Sequence, residues 1–273
     1  MRKIFCFILS FIVALSYTSV SYAVETEKEY KGYNEETIME YKDYLRNVKE
    51  LKLSPGEVNS ELKELNEELS TEARELYRAN LCEDVNEILS EGIEMPEDKL
   101  YFKKDYILDN GEMLTVEMYD IAEDENDIST CGTIEGHEVH FNGYKKYGDR
   151  KYMAVLYVGS LADGKLVLET TNKYTISSSG LTTRAPFVQA YTTSPTLYVW
   201  GNPYAKVTDS SAPKVGHDIN VEGYAKAVVE DGYSVPTGTV YTLKADVRVK
   251  LEALDKTNKK GKVKQHVYAY ATF

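Results

Sequence analysis

Apolar and polar residues alternate along the stretch from Thr239 to Leu254, without interruption from Tyr241 to Ala253. The odd positions from 241 to 253 are apolar or aromatic, whereas the even positions from 242 to 252 are polar or charged. Because successive side chains of a strand point to opposite faces, this alternation predicts one long strand with a buried and an exposed face. The pattern recurs at 219–229 and 263–273, and the loop 255–262 joins the last two strands into an antiparallel hairpin.

Small residues occupy much of the predicted buried face of these strands. They are Gly223, Ala225, Ala227, Ala245, Ala269 and Ala271. A face this flat allows a second layer to approach closely, which favours two packed sheets over a wide barrel. The sequence therefore predicts an α+β fold, in which an N-terminal amphipathic helical segment precedes an antiparallel β-sandwich with long C-terminal strands.

Helical spacing dominates the N-terminal part of the chain. Apolar residues between Ile38 and Val48 recur at steps of three and four, which predicts a first helix from Glu35 to about Leu51. The run Ser54-Pro55-Gly56-Glu57 combines a capping serine, a proline and a glutamate and indicates the start of a second helix. A third apolar stripe ends at Gly92.

Three regions follow from these patterns. Residues 1–23 are a signal peptide, 24–95 an acidic segment of three helices, and 96–273 an antiparallel β-rich domain. The run 177–186 is rich in Ser, Thr, Gly and Pro. It is either a surface loop, which we favour, or an inner boundary of the β-rich domain.

The first 23 residues have the features of a secretory signal. Arg2 and Lys3 precede the apolar run Ile4 to Leu15, and Ser21-Tyr22-Ala23 offers small residues at the two positions that a signal peptidase reads. We expect cleavage after Ala23 and a secreted protein, either extracellular or associated with the cell wall. No later segment has the ~20 consecutive apolar residues that a membrane span requires.

Two cysteines remain after this cleavage, Cys82 and Cys131. Outside the cell such a pair most simply forms a disulfide, here between the last helix and the start of the β-rich region. The alternative is two separate buried thiols, because cysteine packs well as a small apolar residue.

Charge divides the chain into two unequal halves. Residues 24–130 contain 31 acidic and 12 basic residues, whereas residues 131–273 contain 13 acidic and 18 basic residues. Either the two halves attract and dock, or the basic half meets an anionic surface such as a wall polymer. The net negative charge and the predicted export make nucleic acid a poor candidate for a partner.

Metal-binding patterns are weak. His137 and His140 flank Glu138, but a spacing of three on a strand places the two rings on opposite faces. The acidic loop 120–127 lacks the alternating spacing and the central glycine of a calcium-binding EF-hand loop, so we interpret it as a solvated run of charge. We expect no metal and no cofactor.

Aromatic residues give the candidate binding site. Tyr198 and Trp200 would share one face of a strand, Asn202 follows them, and Tyr204 lies just past a turn. Rings beside an amide can stack on sugars or on partner side chains, but for Trp200 we favour the alternative, a packing residue in the core or at the edge of the sheet. A stripe of Tyr224, Tyr268 and Tyr270 on the polar face has the same two explanations.

No catalytic motif accompanies these residues. A Gly-x-Ser-x-Gly nucleophile motif, a phosphate-binding loop and a dinucleotide fingerprint are all missing from the sequence. We therefore expect a secreted non-catalytic protein that binds a cell-wall polymer, a glycan or another surface protein. The alternatives are a secreted membrane-active effector or pore-former, since such proteins unroll long hairpins, and a secreted hydrolase whose catalytic groups converge only in space.

Overall fold

The computed structural model describes residues 30–51, 60–108, 110–123, 143–160, 163–195, 197–210, 214–229 and 239–273. Within these ranges the helices are α1 (Glu35–Glu50), α2 (Ser60–Glu68) and α3 (Thr71–Glu91). The strands within the same ranges are β1 (Ile93–Glu94), β2 (Tyr101–Ile107), β3 (Met113–Ala122), β4 (Tyr144–Lys146), β5 (Gly148–Ser160), β6 (Gly164–Ser177), β7 (Gly180–Thr183), β8 (Phe187–Thr192), β9 (Leu197–Val199), β10 (Tyr204–Asp209), β11 (Asp218–Val229), β12 (Val240–Asp255) and β13 (Lys260–Thr272).

Side-chain caps define where α1 and α3 begin. The Asn34 side chain accepts a hydrogen bond from the backbone N–H of Thr37 at 2.8 Å, and the Ser70 hydroxyl accepts one from Ala73 at 3.2 Å. Helix α3 ends at Glu91, where Gly92 adopts a φ of 82° that favours glycine. The predicted start of the second helix, Ser54 to Glu57, lies outside the described residues.

All described strand pairs are antiparallel, and they form two sheets. Sheet I has the order β1-β13-β12-β11-β10, with β4 also on β13 and β9 also on β11. Sheet II has the order β2-β3-β5-β6-β7, with β8 also on β6. The predicted α+β sandwich is confirmed. The run 177–186 contains β7, which pairs with β6, while the domain boundaries themselves stay a prediction.

Burial along β12 follows the predicted alternation. Its odd residues from Tyr241 to Leu251 are buried between the sheets, whereas Lys244 and Lys250 are exposed. The Asn-Gly pair at 110–111 connects β2 and β3 in an antiparallel hairpin, as its sequence predicts. Between the sheets, the Asn172 side chain of β6 donates hydrogen bonds to the carbonyls of Ile219 and Val247 at 3.1 and 3.0 Å. These bonds tie sheet II to sheet I.

Strand β1 pairs with β13 at His266 and Val267, and helix α3 covers the same edge of sheet I farther along β13, at Ala271. The Asn86 amide donates to the carbonyl of Ala271 at 2.8 Å, and its oxygen accepts from the N–H of Ala271 at 2.8 Å. The Cys82 thiol also donates to this carbonyl, at 3.1 Å. One side chain therefore replaces the backbone of a neighbouring strand, and this protects an edge that would otherwise offer unpaired backbone groups to another chain.

We expect Asn86→Ala to lower the free energy of unfolding by about 1–2 kcal/mol, because it leaves the Ala271 N–H without its partner in a partly buried position. Urea unfolding measures this loss, and hydrogen exchange at the Ala271 amide should become faster. Glu87→Ala, on an exposed position of the same helix, is the matched control. Equal stability of the two variants would contradict the role of Asn86 as an edge cap.

Candidate functional site

The four residues predicted to bind a ligand lie along one edge of sheet I. Tyr198 is in β9, Trp200 and Asn202 are in the short break that follows, and Tyr204 is the first residue of β10. Strands β9 and β10 pair with the same side of β11, and the backbone N–H of Trp200 donates to the carbonyl of Lys226 at 2.8 Å. The structure thus brings together residues that the sequence places on both sides of a turn.

Cross-strand register places the rings on the outer face of sheet I. Tyr198 is opposite Val228 and Tyr204 is opposite Tyr224, and directly opposite residues in a sheet share a face. The Tyr198 and Trp200 rings meet edge to face, with centroids 6.3 Å apart. The Tyr204 and Tyr224 rings stack, with centroids 4.9 Å apart and an interplanar angle of 25°.

The stripe of tyrosines on the polar face joins the same surface. Tyr224 is opposite Lys244, which is opposite Tyr270, so one row of side chains crosses four strands from Tyr204 to Tyr270. At ~4.8 Å per strand this row is about 14 Å long. Exposure is 44% for Tyr204, 57% for Tyr270 and 49% for Trp200. We call this surface the aromatic face; its rings are Tyr198, Trp200, Tyr204, Tyr224, Tyr268 and Tyr270.

Ion pairs hold the lysines between the rings. Glu222 lies 2.9 Å from Lys206 Nζ and 2.6 Å from Lys244 Nζ. Burial opposes ionisation of Glu222, but the two lysines hold its pKa below the ordinary value. The Lys206 ammonium also lies 6.0 Å from the centroid of the Tyr204 ring, within the range of a cation–π contact. The aromatic face therefore alternates rings with fixed positive groups.

Tyr268 is held at the other side of the aromatic face. Its ring contacts Gly92, where an added Cβ would lie 2.3 Å from Cε1 of Tyr268. The Arg248 guanidinium lies 4.4 Å from the ring centroid, and the His266 ring stacks on Tyr268 at 6.2 Å. His266 Nε2 is in turn 3.1 Å from a carboxylate oxygen of Glu94 in β1. These contacts fix the orientation of the ring.

The carboxylates of the aromatic face, those of Glu222 and Asp246, form ion pairs with neighbouring basic side chains. Glu222 and Asp246 are opposite each other on β11 and β12. A general acid needs a raised pKa, whereas the pKa of Glu222 is lowered, and Asp246 accepts a hydrogen bond from Arg248 Nε at 2.9 Å. Glu222 therefore lacks the raised pKa of a general acid. Across the described ranges, no three His, Cys, Asp or Glu side chains are grouped so that they could hold a metal ion.

One sequence interpretation was wrong: Asp120 does not belong to an acidic loop. It lies in β3 and is fully buried, where it pairs with Lys145 and Arg150. Glu123, just after β3, pairs with Lys151 at 3.4 Å and with Arg184. The rest of that acidic run lies outside the described residues.

Two further groups of residues from the sequence analysis, the cysteine pair and the weak histidine pattern, lie partly or wholly outside the described part of the chain. Cys131 is outside it, so the disulfide with Cys82 stays a prediction. His137, Glu138 and His140 are outside it as well.

Sequence reasoning missed the lysines of the aromatic face. Lys206 and Lys244 lie beside the rings because of the register between β10, β11 and β12. The one signal in the sequence was that both lysines, like Tyr204 and Tyr224, occupy even-numbered positions of their strands and so lie on the outer face. Among the helices that the structure describes, none is long and apolar enough to cross a membrane. Comparison of the chain with models of protein families, with curated proteins and with solved structures finds no match.

Proposed function

We propose that this protein is a secreted, non-catalytic binding protein and that its aromatic face binds an extended glycan, such as a polysaccharide of the cell wall. The observation that supports this proposal is the exposed row formed by Tyr204, Tyr224, Lys244 and Tyr270 across four strands. A linear ligand can follow this row and contact a ring or an ammonium group on each strand.

The chemistry of the row matches the two surfaces of a sugar. The C–H faces of a pyranose ring are apolar and stack on the planar ring of tyrosine or tryptophan, whereas its hydroxyl groups need polar partners. Lys206 and Lys244 supply donors beside the rings, and their pairing with Glu222 holds them in place. The excess of 18 basic over 13 acidic residues in 131–273 also favours a ligand that carries negative charge.

The proposed location outside the cell rests on the N-terminal sequence. Arg2 and Lys3, the apolar run Ile4 to Leu15, and the small residues before the expected cleavage after Ala23 are the features of a signal peptide.

Co-sedimentation of the chain 24–273 with purified cell-wall polysaccharide, across a series of salt concentrations, tests the proposal. We expect Trp200→Ala, Tyr204→Ala and Tyr270→Ala each to weaken binding by about 3–10-fold, the loss of roughly one stacked ring. The chain should still fold, because all three rings are about half exposed on the outer face of sheet I.

Tyr191→Ala is the matched control, because Tyr191 is also an exposed tyrosine but lies on β8 in sheet II. Its binding to the polysaccharide should equal that of the unchanged chain. Binding that is unaffected by all three variants of the aromatic face, or no binding at any salt concentration, would refute the proposal.

A further inference from the structure

The carboxylate of Glu169 lies on the outer face of sheet II, two strands away from that of Glu117 on the same face. Glu169 is in β6, opposite Val155 of β5 on one side and Gln189 of β8 on the other. Its side chain is half-buried. In the part of the chain that the structure describes, no hydrogen bond or ion pair reaches the Glu169 carboxylate.

The residues around Glu169 on this face are uncharged, and three of them are aromatic. Directly opposite residues have Cβ atoms about 5 Å apart, and diagonal neighbours about 7–8 Å, within the reach of a large ring. By register these neighbours are Val155, Gln189, Val167, Thr171, Tyr157, Met153, Tyr191 and Phe187.

Burial around Glu169 is uneven. Val155 and Val167 are buried although they point away from sheet I, whereas Phe187 and Tyr191 on the edge strand β8 are 45% and 43% exposed. The carboxylate therefore lies among covered apolar side chains with accessible rings beside it. Burial raises the pKa of Glu169 above its ordinary value, because the ionised carboxylate loses hydration there. No charge or hydrogen bond in the described part of the chain compensates for this loss of hydration.

The nearest charged side chains on this face have other partners. Lys165 Nζ donates to the carbonyl of Met113 at 2.5 Å. Glu117 lies 3.6 Å from Lys103. Lys173 Nζ lies 6.0 Å from the centroid of the Phe187 ring, at the outer limit of a cation–π contact.

We propose that this surface, which we call the Glu169 site, binds an alkylammonium group. An unpaired carboxylate supplies the opposite charge, and the rings of Tyr157, Tyr191 and Phe187 supply faces for the alkyl substituents and for cation–π contacts. A neutral ligand of the same shape would gain the apolar contacts but would leave the carboxylate without a counter-charge. An inorganic cation would gain the charge but not the ring contacts. This site is independent of the aromatic face, because the two lie on the outer faces of different sheets.

Ligand-observed NMR titration of the chain 24–273 near pH 7.5 tests this proposal with two matched probes. Choline carries a trimethylammonium group, and 3,3-dimethyl-1-butanol is its neutral isostere. We expect saturable binding of choline and no measurable binding of the alcohol. Glu169→Gln keeps the size of the side chain and removes its charge, and should weaken choline binding at least tenfold.

Glu117→Gln is the control, because it removes a carboxylate from the same face that already has Lys103 as its partner. This variant should bind choline like the unchanged chain. Tyr191→Ala is a second, exposed variant that does not depend on how the chain tolerates Glu169→Gln, and it should weaken choline binding while leaving polysaccharide binding intact. Trp200→Ala should weaken polysaccharide binding and leave choline binding intact.

Three results would overturn the proposal. They are choline binding that Glu169→Gln leaves unchanged, equal binding of the neutral alcohol, and no choline binding up to the highest concentration tested. Each is distinguishable from failure of the glycan proposal, which is measured with a different probe and different variants.

Discussion

Asp120→Asn is expected to lower the free energy of unfolding by about 3–5 kcal/mol, the largest effect of any single change considered for this protein. Asp120 Oδ1 lies 2.9 Å from Arg150 Nε, and Oδ2 lies 3.0 Å from Lys145 Nζ. All three side chains are buried: Lys145 is 3% and Arg150 8% exposed. The variant therefore removes the buried negative charge that Lys145 and Arg150 share.

Urea unfolding followed by circular dichroism measures this loss. Asp43→Asn is the control, since Asp43 pairs with Arg46 at 2.9 Å on an exposed helix surface, where an ion pair contributes little. Adding Lys145→Met to Asp120→Asn should recover part of the stability, because it removes one of the two buried cations that lose the Asp120 carboxylate. A loss below about 1 kcal/mol in Asp120→Asn would show that the cluster does not depend on its carboxylate.

The same carboxylate predicts part of the acid sensitivity of the fold. Burial disfavours the charged form of Asp120, but Arg150 and Lys145 hold its pKa below the ordinary value. A pKa that is lower in the folded than in the unfolded chain stabilises the fold above the unfolded value, about 3.9, and the contribution is lost as the pH falls through the folded value. Stability of Asp120→Asn should accordingly depend less on pH below about 4 than stability of the unchanged chain.

The fold was predictable where one local pattern repeats over many residues. The alternation from Tyr241 to Leu251 is set by the two-residue period of a strand, and every position of that run faces as expected. In the sequence Asp120 comes directly after the apolar run from Met113 to Tyr119 and precedes further acids, so its local context indicated a loop. Its partners Lys145 and Arg150 are distant in sequence, and only the sheet topology brings them to the carboxylate.

In the candidate sites, too, the features set within one strand were predictable and those set by strand pairing were not. Parity alone places Tyr268 and Tyr270 on the polar face of β13, but the stacking of Tyr204 on Tyr224 depends on the register of β10 with β11. Glu169 had no sequence signal. The run from Leu166 to Thr171 is almost continuously uncharged, so neither its strand faces nor the neighbours of Glu169 could be assigned before β8 was placed beside it.

Gly223→Val is expected to destabilise the protein by about 2–3 kcal/mol, because it overpacks a close contact between the sheets at Thr170. A Cβ added at Gly223 would lie 1.9 Å from Thr170 Oγ1 and 2.9 Å from Thr170 Cβ. The sheets cannot simply separate to make room, since Asn172, two residues along β6 from Thr170, is hydrogen-bonded to carbonyls of β11 and β12.

Thermal unfolding measures the effect of Gly223→Val, and Gly223→Ala should give a smaller loss in the same direction. Thr170→Ala removes two of the three nearest atoms, so the double variant with Gly223→Ala should lose less stability than the sum of the losses in the two single variants.

Gly223 lies between Glu222 and Tyr224, which both belong to the aromatic face. A strand displaced at this point would shift those side chains, so Gly223→Val should also weaken polysaccharide binding. An unchanged melting temperature in Gly223→Val would mean that the sheets lie farther apart at Thr170 than the structure places them.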